Sequence, residues 1–130
     1  MEDSIFTKII KGEIPCHKLY EDAKTLAFLD IHPVQPGHTL VIPKEQTDKL
    51  YDLDEETYQA VMKTTKRLML QLDRVLGKRV GLKVVGTDVP HAHVQLIPFG
   101  DPAELHAKQD MEVEPDHVAL TDMANWLRLE

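Results

Sequence analysis

The chain has 130 residues, 42% of them hydrophobic, and a formal net charge of −7. That length allows one domain with its own core and is short for two, no apolar run approaches the ~18–20 residues of a membrane span, and Glu2 and Asp3 stand where a secretion signal would be basic. Residues 1–100 carry 13 Lys and Arg against 14 Asp and Glu, and residues 101–130 carry 2 against 8, so a nearly neutral body precedes an acidic extension and neither offers the clustered basic residues that a nucleic-acid backbone requires.

In chain order, Ser4 to Gly12 reads as a short amphipathic helix, capped by Ser4, stopped by Gly12 and presenting Ile5, Phe6 and Ile9 on one side. Cys16 is the chain's lone cysteine, so it forms no intrachain disulfide and no cysteine-based metal site, which fits a reducing, cytoplasmic compartment. Lys18 to Glu21 and Thr25 to Ile31 read as strands joined around Asp22-Ala23-Lys24. Two prolines and a glycine make His32 to Gly37 a loop, and His38 to Pro43 resumes as a strand. From about Asp54 to Leu76 the residues Tyr58, Val61, Met62, Leu68, Met69, Leu72, Val75 and Leu76 recur at helical spacing, with Asp52 and Glu55 as a capping box and Gly77 as a stop. Val80 to Val85 and His91 to Phe99 are the last strands. Beyond Gly100 the chain is polar and irregular to Pro115, and a helix over 116–129 follows with Val118, Met123, Trp126 and Leu127 as its apolar side. Strands, one long helix, then strands again define an α+β domain with an antiparallel sheet of about five strands; its core is 4–100 within a single domain of 1–130.

In the last strand His91, His93 and Gln95 alternate with Ala92, Val94 and Leu96. Side chains on a strand alternate between faces, so the polar trio lines one face and the apolar trio the other, with roughly 6.6–7 Å between same-face neighbours. A phosphate spanning the trio meets the central His93 first, and an imidazole there can attack phosphorus to form a covalent phosphoramidate while His91 and Gln95 hold the non-bridging oxygens. A zinc or iron site built on His-x-His is the competing reading; Gln95 is a poor third ligand for it and no Cys-x-x-Cys is present.

With its N-terminal half, this pattern resembles the histidine triad (HIT) family of nucleotide hydrolases and transferases. The resemblance runs through Ser4-Ile5-Phe6, Lys8 to Pro15, Ala27 to Pro33 and Pro36 to Lys44, and covers most of residues 4–99. It implies a HIT-like fold, a homodimer formed side by side and a small-molecule nucleotide as substrate; the composition argues for no membrane or nucleic-acid partner, and no cofactor is expected. The resemblance also implies that His93 is the nucleophile, that Asp30 accepts the ribose hydroxyls, and that Ile5, Phe6, Ile9, Phe28 and Ile31 wall a base, in keeping with the acceptor capacity of a carboxylate and the apolar clefts that bind purines. His38 corresponds to the family's separate upstream histidine on the phosphate side.

Three departures qualify the transfer. Gln95 replaces the third histidine, as in the hexose-1-phosphate uridylyltransferase branch and the dinucleoside tetraphosphate phosphorylases, and it hydrogen-bonds without supplying an acidic proton. The family's phosphate loop is reduced to Gly86-Thr87-Asp88-Val89-Pro90, where Thr87 is the substitute. The Cys-x-x-Cys of zinc-bearing members reads Ser4-Ile5-Phe6-Thr7, so zinc is not expected. The reading is a hydrolase or nucleotidyltransferase acting at the α-phosphate of a purine nucleotide; a nucleotide-binding module with little turnover, or a metal-binding protein, are the alternatives.

Overall fold

Alternation across one sheet sorts the apolar side chains into two cores. The computed structural model describes residues 2–129. Its strands β1 (Lys18–Glu21), β2 (Thr25–Leu29), β3 (Thr39–Pro43), β4 (Arg79–Lys83) and β5 (Val94–Phe99) make one antiparallel sheet in the order β1-β2-β3-β5-β4. Four helices accompany it: α1 (Ile5–Ile10), α2 (Glu55–Leu76), α3 (Pro102–Leu105) and α4 (His117–Leu127). On one face Ala27, Leu29, Val41, Val94 and Leu96 share a core with Val61, Leu68 and Leu72 of α2 and Leu120, Ala124 and Leu127 of α4. On the other face Leu26, Phe28, Leu40 and Ile42 pack against Phe6 of α1. With a core on each side, β2 and β3 are buried at every residue. The architecture is the α+β one that the order of elements predicts, and no helix among the described residues is long and apolar enough to cross a membrane.

Local chemistry accounts for the element ends. Ser4 caps α1 by accepting the Thr7 N–H, and Asp22 closes the β1–β2 turn by accepting the N–H groups of Lys24 and Thr25 at 2.9 and 2.8 Å. Several expected boundaries move. The cap of α2 is Asp54, which accepts the Thr57 N–H at 2.7 Å; Asp52 ends a separate 3₁₀ turn (Leu50–Asp52), so no capping box forms with Glu55. β2 stops at Leu29 because the Asp30 carboxylate accepts the His32 N–H and turns the chain. β4 starts at Arg79 and ends at Lys83, since its partner β5 begins only at Val94.

The shortening of β5 affects the histidines directly. His91 and His93 precede the strand, whose pairing with β3 begins at Val94 opposite Val41. Proline cannot donate to a sheet ladder, and the Pro43 carbonyl is taken by the His91 ring, so the ladder has no partner at this end. The segment after Gly100 is also more ordered than its composition suggests: Asp101 and Glu104 form a capping box around α3. In α4 the buried residues are Leu120, Ala124 and Leu127, whereas Val118 and Trp126, expected on the apolar side, are 75% and 65% exposed. The helix is rotated so that the 120/124/127 row faces the core.

Candidate active site

His93 lies at the entrance to β5 and is 8% exposed. Its Nδ1 is 2.9 Å from the His91 carbonyl oxygen. A carbonyl only accepts, so Nδ1 carries the proton and the lone pair of the neutral ring sits on Nε2. Phe6 packs edge-to-face against the ring, with centroids 5.1 Å apart, and fixes its plane. The result is a histidine with one tautomer, one orientation and one free nitrogen. It borders a cavity of about 430 Å³ that Lys49, Gly86, Thr87 and Ala92 also line.

The other three polar residues divide into two supports and one donor. His91 is fully buried; its Nε2–H donates to the Pro43 carbonyl at 2.8 Å, leaving Nδ1 to accept the Ser4 hydroxyl at 2.8 Å. Burial holds its pKa below the ordinary 6.5, and His93 adds to that effect against the opposing hydrogen bond to Pro43. No ring nitrogen of His91 is free for a phosphate oxygen, contrary to expectation, and its part is to present its carbonyl to His93. His38 is likewise fully buried and neutral: Nδ1 accepts the Val34 N–H at 3.0 Å, so Nε2–H donates to Gln95 Oε1 at 3.0 Å. Burial lowers its pKa despite the Asp30 carboxylate 3.8 Å from Nε2. His38 therefore dictates the amide orientation of Gln95. With Oε1 committed, the NH₂ of Gln95 is the group left to donate.

The apolar residues take graded positions. Phe6 and Phe28, 5.8 Å apart edge-to-face, are nearly fully buried and pack with Leu26, Leu40 and Ile42. Ile9 is half-buried against them, while Ile5 and Ile31 are 50% and 41% exposed. Ile31 also lines a second cavity, of about 350 Å³, between the 31–37 loop and the C-terminal extension. Asp30 lies beside that loop, its Oδ1 on the His32 N–H at 2.8 Å and its Oδ2 on the Gln109 side-chain amide at 2.9 Å.

Sequence reasoning missed Gln109, which lies in a stretch without periodicity, and it missed the cluster below α1. There Thr7 Oγ1 donates to Gln46 Oε1 at 2.6 Å, Ser4 N–H to the same oxygen at 2.8 Å, and the Ser4 hydroxyl to His91. Hydroxyl and amide oxygens are not zinc's usual donors, and here they satisfy one another. Of the two residues at the resembled Cys-x-x-Cys positions, Ser4 thus bonds His91 and Thr7 bonds Gln46.

Fold and site together define a small α+β protein that holds one histidine in a single tautomer, with Nε2 free, beside a cavity. The HIT domain family matches residues 11–100, and the chain belongs to the HIT family. An uncharacterized HIT-like protein of Borreliella burgdorferi is 41% identical over 106 residues, covering 75% of this chain and 76% of its own length. The adenosine 5′-monophosphoramidase of Schizosaccharomyces pombe is 42% identical over 98 residues, covering 72% of each. The crystal structure of a HIT-like protein from Bartonella henselae superposes with a TM-score of 0.82 at 30% identity over 97% of this chain and 95% of that one.

Proposed function

We propose that this protein is a cytoplasmic nucleotide hydrolase or nucleotidyltransferase that acts at the α-phosphate of a purine nucleotide through a covalent nucleotidyl-His93 intermediate, with an adenosine 5′-phosphoramidate as the leading substrate class. The observation that carries this reading is the His93 tautomer: the backbone carbonyl on Nδ1 leaves the Nε2 lone pair free on a ring that borders a cavity. Nε2 attacks phosphorus, and the bond to the leaving nitrogen breaks with its electron pair going to that atom, which takes a proton from solvent. Water then attacks phosphorus, the N–P bond breaks back onto Nε2, and the nucleoside monophosphate departs as a proton is lost to solvent. Gln95 and Thr87 hold phosphate oxygens, Asp30 the ribose, and Ile5, Phe6, Ile9, Phe28 and Ile31 the base. The likeness to an adenosine 5′-monophosphoramidase supports the substrate class.

The test is intact mass spectrometry after brief exposure to adenosine and guanosine 5′-phosphoramidates, dinucleoside polyphosphates and UDP-sugars, alongside steady-state product analysis. Wild type is expected to gain one nucleotidyl mass or to turn over, and His93→Ala to do neither, with a rate loss of about 10³-fold or more. Nucleotide binding with neither adduct nor product would favour the binding-module reading, which the replacement of an acid-capable histidine by Gln95 supports. Homodimerisation belongs to the same proposal. β4 is an edge strand with Leu82, Val84 and Val85 exposed at or just beyond it, and Leu70 of α2 shares a surface groove with Val80. Light scattering should report the mass of two chains, and Leu82→Lys should shift it toward one.

A further inference from the structure

The C-terminal extension reaches back to the residue assigned to the ribose. Gln109 lies beyond the region that matches the HIT domain, yet its Nε2 donates both hydrogens into the 30–32 turn, one to Asp30 Oδ2 at 2.9 Å and the other to the His32 carbonyl at 2.8 Å. Both partners are acceptors only, so the amide has one possible orientation: nitrogen toward the turn, Oε1 away from it. No donor from the described residues reaches Oε1. The extension is held in this place by further contacts. Gln35 Nε2 donates to the Glu104 carbonyl at 3.2 Å, and Leu105 of α3 rests on Gly81, where an added Cβ would come within 2.5 Å of it.

This bracket changes what Asp30 can do. Each carboxylate oxygen already accepts one N–H, which fixes the rotamer and leaves each oxygen with one lone pair, and Oε1, the other end of the Gln109 amide, is a third acceptor without a donor among the described residues. A vicinal diol presents two O–H donors. We propose that Gln109 is the second half of a ribose clamp: it locks the Asp30 carboxylate and offers Oε1 to one of the two hydroxyls, so that the extension confers preference for ribonucleotides over 2′-deoxyribonucleotides. The proposal rests on Asp30 as the ribose acceptor, which belongs to the function proposed above. A site built to bind a hydroxyl discriminates against the analogue lacking it, because its acceptors are then buried without a donor.

The experiment compares adenosine and 2′-deoxyadenosine 5′-phosphoramidates on the full chain and on Gln109→Ala, with AMP and dAMP affinities from titration calorimetry in parallel. Wild type is expected to prefer the ribonucleotide. In Gln109→Ala the ribo substrate's KM should rise about tenfold with kcat little changed, and the ribo-to-deoxy ratio should fall by a similar factor. Gln109→Glu keeps an oxygen but loses both N–H donors and places a second negative charge on Asp30, so it should not restore the ratio. An unchanged ratio in Gln109→Ala, or tighter AMP binding by it, overturns the clamp; the second result would show that the amide occupies the ribose's place. Absence of wild-type turnover bears on the proposed reaction alone, because the AMP and dAMP affinities then decide the clamp. Wild type that binds neither removes both.

Discussion

Gln95 accepts one hydrogen bond, from His38, and keeps two to give. Gln95→Glu is nearly isosteric, preserves the acceptor for His38, and replaces the NH₂ by an oxygen that repels a phosphate. It is expected to lower kcat/KM by about 10²–10³, in the range found when a transition-state donor is removed, while the melting temperature moves little. Retained activity in steady-state assays would take Gln95 away from the phosphate. The alternation of His91, His93 and Gln95 was legible in the sequence. The supporting parts of His91 and His38 were not, because they depend on who occupies each ring nitrogen. Those partners are Pro43 and Ser4 for His91, 48 and 87 residues away, and Val34 and Gln95 for His38. Residue spacing along a strand shows which side chains share a face; it cannot show which of them have a nitrogen left over.

Two adjacent threonines of α2 separate a satisfied hydroxyl from an unsatisfied one. Thr64 Oγ1 is 2.8 Å from Thr25 Oγ1 across the helix–sheet interface, whereas Thr65 Oγ1 is buried without a partner. An unpaired buried hydroxyl carries its full desolvation cost, so Thr65→Val should raise stability by about 0.5–1 kcal/mol and Thr64→Val should lower it by about 0.5–1 kcal/mol, since the bond to Thr25 is lost while Thr25 keeps its bond to Asp22. Urea denaturation of the two variants checks the sign, and equal effects would mean that Thr65 finds water. A second element-scale expectation concerns Gly81 on β4. A valine there collides with Leu105; it should cost about 1–3 kcal/mol and free α3, seen as faster proteolysis within residues 101–116. The helices and strands were legible from apolar periodicity, but their ends follow hydrogen bonds such as Asp30 to His32. The phase of α4 was misread because Trp126, the most hydrophobic-looking residue there, is on the outer side while Leu120 and Ala124 face the core.

At the scale of the molecule, the segment before β1 meets the start of α4 through two imidazoles. His17 Nε2 is 2.9 Å from His117 Nδ1 and the ring centroids are 5.2 Å apart, which sets both nitrogens almost on the line between centroids; the rings meet head to head with one shared proton. Burial, followed by the neighbouring His117, holds the His17 pKa below 6.5, and burial does the same to His38 and His91. In all three cases the folded state binds protons less readily than the unfolded chain, so below about pH 6.5 unfolding takes up protons and stability rises with pH. The contribution is therefore complete above the unfolded value and is lost as pH falls through the depressed folded values. Melting temperatures measured from about pH 8 to about pH 5 should stay level and then drop below about 6.5. His117→Gln replaces one ring and relieves the repulsion between two imidazolium groups, so its curve should fall less steeply than wild type. Hydrogen exchange should show α4 losing protection before β2 and β3, because α4 is the element the pair ties down and the two strands are buried at every residue. An identical acid limb in the variant would assign the whole effect to His38 and His91, and protection lost everywhere at once would mean that the two histidines flanking His93 open the molecule together with the site.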